Sequence, residues 1–193
     1  VWILGDAEEK AAIDGMARIR TLYVADGHHR SAASSRVRQI RKAQNSAHRG
    51  DEPYNYFLAV IFPHDQLRIM DYNRVVKDLH GLDARGFLAA VGGKFEVSPA
   101  SSPRPEEQHA FGMYLDGRWH RLVARKGTYP EKDPVLGLDV SILQENLLGP
   151  ILGIENPRTD PRIDFVGGIR GLGELERRVG EGWAVAFALY PTT

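Results

Sequence analysis

The stretch HAFGMYLDGRWHRLVAR, residues 109 to 125, limits what this chain can become more than any other. Two runs of strand-forming residues flank Asp116-Gly117, a dipeptide suited to a two-residue turn whose central positions both take positive φ. Such a turn joins antiparallel neighbours only. Around this hairpin the pattern alternates between types. ARGFLAAV (84–91) reads as a short helix and KFEVS (94–98) as a strand. YNYFLAVIF (54–62) reads as a central strand, and LRIMDYNRVV (67–76), after a Pro-His-Asp turn, as its hairpin partner. SPASSPRPEE (98–107) is an exposed loop by its proline and serine content. LDVSILQENLLGPILGI starts a helix capped by Asp139 or Ser141, with Ile142, Leu143 and Leu147 facing the core. RIDFVGGIRGLGELERRVGEGWAVAFALY reads strand, glycine turn, helix, strand. Hairpins mixed with strand-helix-strand units favour an α+β fold on a mixed sheet over a doubly wound parallel one. The 193 residues fit one domain, with sub-lobes 1–98 and 99–193 as a finer division.

The first third reads as strand (VWIL, 1–4), helix, strand (TLYVA, 21–25), helix. Asp6 is an N-cap, with Glu8 and Glu9 in the first turn and a helix running to Arg20. The second helix runs from Gly27 to about Ala47. The chain opens without Met and stops on a strand-like run, so it reads as a piece of a longer protein. Formal charge is zero, so no global field draws nucleic acid or an anionic membrane. Cysteine is absent, which excludes thiol catalysis and cysteine-held metal and points to a reducing, cytoplasmic setting. No apolar run approaches the roughly 18 residues that span a bilayer.

Between the second strand and the second helix lies Asp26-Gly27-His28-His29-Arg30. If Asp26 caps the helix, the turn exposes main-chain N–H groups at the positive end of the helix dipole, a natural seat for phosphate. Gly27 lets a ligand approach the backbone, and Arg30 can grip an oxyanion through two parallel bonds. His28, His29 and Arg30, with Gly27, are the phosphate-binding candidates; Asp26, His28 and His29 are the catalytic ones. Adjacent helical residues diverge by about 100°, so the two histidines should divide their work, one touching the anion and the other packing. The same divergence argues against a zinc pair, and no metal ligand is assigned. Arg74, at a strand end, is a supporting candidate that could reach an anion across the sheet. Arg36, Arg38, Arg41 and Lys42 read as a solvated helix face, FVGGIRGLGELERR as a packing turn, and His80, His109 and His120 carry no role.

YVADGHHRSAA resembles the signature of the bacterial and archaeal family called domain of unknown function 1015. The resemblance extends through YNYFLAVIF, YNRVVKDLHGL, LDVSILQENLLGPILGI and AFALYP. The Asp-Gly-His-His-Arg turn also resembles the phosphate-binding turn of the partition-protein-B/sulfiredoxin-like fold, whose members include a free-serine kinase. That resemblance implies nucleotide phosphates around Asp26 to Arg30, ATP or ADP with Mg²⁺ as cofactor, and Asp26 orienting the turn or helping to hold the ion. Sulfiredoxins need a cysteine in this turn, so their activity is excluded. The serine kinases use an upstream glutamate as base; Glu8 and Glu9 are better read as helix-start carboxylates, which places the base outside these residues. The expectation is therefore a phosphotransferase or phosphohydrolase acting on a small phosphate-bearing molecule. The alternative is a nucleotide-dependent nucleic-acid-binding or partition-like module, disfavoured by neutral charge and by the lack of stacking aromatics on the basic helix.

Overall fold

Asp116 and Gly117 take φ of 48° and 75°, the two positive values that their turn requires. In the computed structural model, which describes residues 3–192, they join β3 (Ala110–Leu115) to β4 (Arg118–Ala124) with Leu115 opposite Arg118. The chain divides into two compact units, Val1–Phe62 and Pro63–Thr193.

The hairpin belongs to the second unit and lies within its sheet. β2 (Phe95–Pro99) pairs with β4, and β6 (Val185–Leu189) pairs with β3 and with β1 (Tyr72–Val76), which also pairs with β5 (Ile163–Gly167). The order is β2-β4-β3-β6-β1-β5, with every pair antiparallel. The sheet expected to be mixed is thus antiparallel. β5 and β6 do run the same way, linked through a helix, but β1 lies between them and opposes both. β1 also does not pair with residues 54–62, as the expected hairpin required.

Both faces of this sheet are covered, so β6 is buried throughout. Val185, Phe187 and Leu189 point into a core built with α3 (Ala84–Gly92), α4 (Asp139–Leu143) and the π-helical turn Gln144–Leu148. Asp83 caps α3 by accepting the Gly86 N–H at 2.7 Å. Ala186 and Ala188 point the other way, toward Leu175 of α5 (Gly173–Gly180). Small residues there let the helix sit close to the strands. The 98–107 loop is not simply exposed: Pro105 is buried, and a Cβ on Gly112 of β3 would lie 2.2 Å from the Pro103 carbonyl.

The first unit carries α1 (Asp6–Met16), α2 (His28–Gln44) and a 3-10 turn, Pro53–Asn55. Gly5, not Asp6, is the N-cap of α1; its N–H donates to Glu8 Oε2 at 2.9 Å, and the helix stops at Met16, short of Arg20. Residues 21–25 and 56–62, expected as strands, join no ladder among the described residues. Tyr23, Leu58, Val60 and their neighbours stand exposed. An apolar strand is stable only where neighbours satisfy its main chain and cover its side chains, and nothing described in this unit does so. Ile3 and Leu4 form no strand either, while the rest of VWIL lies outside the described residues.

Candidate functional site

The Asp-Gly-His-His-Arg turn forms a helix start, but not through the expected cap. Gly27 occupies the N-cap with φ 77°, a left-handed conformation that glycine adopts without steric cost. Asp26 therefore lies one residue before the cap. Its Oδ1 accepts only the Gly27 N–H, at 2.6 Å, and no side chain caps the helix. The helix begins at His28, and its first internal closure is Ser31 N–H to the Gly27 carbonyl at 2.9 Å. The N–H groups of His28, His29 and Arg30 are therefore left without acceptors, as the first turn of a helix requires.

No acidic residue occupies that first turn. Two histidines and an arginine stand there instead, the wrong sign for the dipole by about 0.3–1 kcal/mol each when charged. Arg30 folds back over the turn: its Nε and guanidinium carbon lie 3.7 and 3.9 Å from where a Gly27 Cβ would be. Its nearest carboxylate oxygen, on Asp26, is 4.0 Å away with both side chains almost fully exposed, a contact worth little. His28 and His29 are exposed and have no polar partner among the described residues, so the expected division, with one histidine packed, is not expressed. The structure brings Asp26, Gly27, His28, His29 and Arg30 together on one turn. No residue of α2 is buried, and of its basic residues Arg38 is held by Asn55 Oδ1 at 3.0 Å.

Behind α2 lies a polar knot that sequence reasoning missed. Glu52 accepts from Arg49 N–H (2.6 Å), Gly50 N–H (3.0 Å) and Asn55 Nδ2 (2.9 Å), and His48 Nδ1 sits 2.9 Å from both Glu52 Oε2 and the Tyr54 hydroxyl. Burial works against the charged carboxylate, but these donors outweigh it and hold the group down at about 2. The signal was Glu52 two residues after Gly50 and seven after Asn45, with His48 four residues before it.

Arg74 belongs to the second unit. Its guanidinium lies 4.3 Å from the Phe165 ring and 4.9 Å from the Tyr72 ring, and NH1 donates to the Tyr72 carbonyl (2.5 Å) and the Asn73 carbonyl (3.2 Å). Burial lowers it to about 10, so it remains a cation at neutral pH. The same unit holds a second titratable cluster at His109, whose φ is 65°. Asp139 Oδ1 accepts the His109 N–H at 2.8 Å instead of capping α4, and the Tyr129 hydroxyl lies 2.9 Å from His109 Nδ1. Burial raises Asp139, and burial together with Glu131 and Asp139 raises Tyr129. His109, Glu131, Asp133 and Asp139 line a cavity of about 210 Å³. Tyr129 and Asp139 lie 20 and 30 residues from His109 along the chain, which is why no local motif marks the cluster.

Among the described residues no group of three or more His, Asp or Glu side chains could hold a metal ion, and no helix is long and apolar enough to cross a membrane. No curated protein and no solved structure matches the chain. A family profile described as "Protein of unknown function (DUF1015)" matches residues 1–141. Since that match spans well over half of its residues, the chain belongs to this family.

Proposed function

We propose that the Asp26–Arg30 turn binds the phosphate of a small molecule or nucleotide, and that the chain serves phosphoryl transfer or phosphate hydrolysis there. One observation carries the reading. The start of α2 gathers three N–H groups without acceptors, a folded-back guanidinium and two histidines with no polar partner among the described residues; no acid lies in the first turn, and Asp26, just before it, is 4.0 Å from Arg30. An anion between them relieves the mismatch of charge and dipole that the turn otherwise carries. In this reading the N–H groups and Arg30 cradle phosphate oxygens, a histidine binds or protonates a phosphoryl oxygen, and Arg30 neutralises developing charge. ATP or ADP with Mg²⁺ is the cofactor that such transfer uses. Asp26, with only one hydrogen bond to its carboxylate, is the residue of this turn that could join phosphate oxygens around the ion. The finer relationship to the partition-protein-B/sulfiredoxin-like fold, with a serine-kinase type of chemistry, and a cytoplasmic location belong to the same proposal.

The test uses opposite signs. His28→Glu puts the favoured charge at a helix start and is expected to raise thermal stability without ligand, by about 0.3–1 kcal/mol. The same change should abolish the stabilisation that inorganic phosphate or Mg·ATP gives the parent chain. Phosphate or Mg·ATP that protects both chains equally, or neither, overturns the proposal. Arg36, Arg41 and Lys42 stand exposed on α2, so a DNA column run at rising salt is the parallel assay; retention without any phosphate response selects the nucleic-acid reading instead.

A further inference from the structure

Two arginines of the second unit sit in opposite circumstances. Arg162 is fully occupied: Nε and NH2 donate to Asp160, NH2 also to the Gly153 carbonyl, NH1 to the Leu152 carbonyl, and Asp78 lies 3.5 Å from NH1. It ties the Leu152–Gly153 turn to Asp160 and has nothing left to offer. Arg74 spends only NH1, on two main-chain carbonyls of its own strand. No carboxylate among the described residues pairs with it, and its Nε–H and the adjacent NH2 hydrogens have no acceptor.

Those unused donors lie on one edge of the guanidinium plane, the edge that meets a phosphate or carboxylate through two parallel bonds. The plane itself is held still. Two carbonyls fix NH1, and the guanidinium lies over the neighbouring Tyr72 and Phe165 rings, which stack on each other at 5.4 Å and 13°. The patch is open at its Tyr72 end, while Arg74 and Phe165 are half-buried. Val76, Ile163 and Phe187 share its face and are buried in the core, whereas Tyr72, at the start of β1, keeps 54% of its surface exposed. β5 is an edge strand, and no further strand among the described residues pairs alongside Phe165.

We propose that Tyr72, Arg74 and Phe165 form a binding platform for an aromatic anion. A nucleoside monophosphate is its simplest ligand, with the phosphate on the Nε/NH2 edge of Arg74 and the base on the exposed Tyr72 ring. Charge selects the occupant: an unpaired cation with an empty bidentate edge is complementary to an anion, and the flanking rings reward one that carries a flat aromatic group. The platform stands independently of the Asp26–Arg30 turn.

The test is a titration followed residue by residue in amide NMR spectra of the whole chain, with adenosine monophosphate, inorganic phosphate and adenosine as separate probes. Adenosine monophosphate is expected to shift the resonances of residues 72–74 and 163–167 and to bind about tenfold or more tightly than either part. Arg74→Lys keeps the charge but loses the planar edge, and should weaken binding about tenfold. Tyr72→Leu, at an exposed ring, should weaken it as well and tests the platform even if the arginine variant fails to fold. His28→Glu should leave these shifts in place, which separates this site from the turn. No shift at β1 and β5, unchanged affinity in both platform variants, or equal affinity for adenosine or for phosphate alone would overturn the platform.

Discussion

Glu52 and Arg162 each hold two main-chain groups with one charged side chain, and the carboxylates involved, Glu52 and Asp160, tie that hold to pH. Glu52 is ionised down to about pH 2, against an ordinary value of 4.5, because N–H groups of Arg49 and Gly50 and the Asn55 amide bond its charged form. A depressed carboxyl stabilises the fold above its unfolded value and loses that contribution as pH falls through the folded one. Glu52→Gln is therefore expected to lower the melting temperature at pH 6 and to match the parent near pH 2. A difference between the two that persists undiminished at pH 2 would show that shape, not charge, holds the 45–55 loop. Asp160 is lowered in the same way by hydrogen bonds from Arg162, so its hold on that guanidinium weakens as pH falls into the acid range.

At the scale of elements, what was legible followed from local chemistry. The Asp116-Gly117 hairpin, α3, β2 and the β5–α5–β6 run lie where turn residues and apolar period place them, because their signals lie within a few residues. The partners of β1 were not legible, since a strand's pattern says that it pairs but not with which strand. TLYVA and YNYFLAVIF show the same limit: strand-forming residues without a neighbour make no strand. The Asp-Gly-His-His-Arg turn was legible as a helix start, while its cap was not, because a left-handed Gly27 took the place that Asp26 was expected to fill. Gly112 gives a sharper case. Its Cβ would strike the Pro103 carbonyl, so Gly112→Ala must lift the 98–107 loop off β3 or bend the strand. The expected cost is roughly 1–3 kcal/mol in chemical unfolding, with faster proteolysis within residues 98–107. A variant as stable as the parent would mean that the loop does not rest on the sheet in solution.

For the molecule as a whole, all the buried hydrophobic residues among those described lie in the second of the two compact units, so the units should lose protection at different rates. Amides of β1, β3, β4 and β6 are expected to exchange with solvent most slowly, and those of residues 21–25 and 56–62 within the fastest class. Uniform protection across both units in hydrogen-exchange mass spectrometry would contradict this. The strand order also dictates a schedule for synthesis. β6, residues 185–189, sits between β3 and β1 and supplies residues to both cores. Until the ribosome has released that segment, β2-β4-β3 and β1-β5 are two separate fragments with bare edges, and neither can recruit the other. A nascent chain halted before Val185 would therefore offer a chaperone two half-sheets, and a chain released past Leu189 would offer it none.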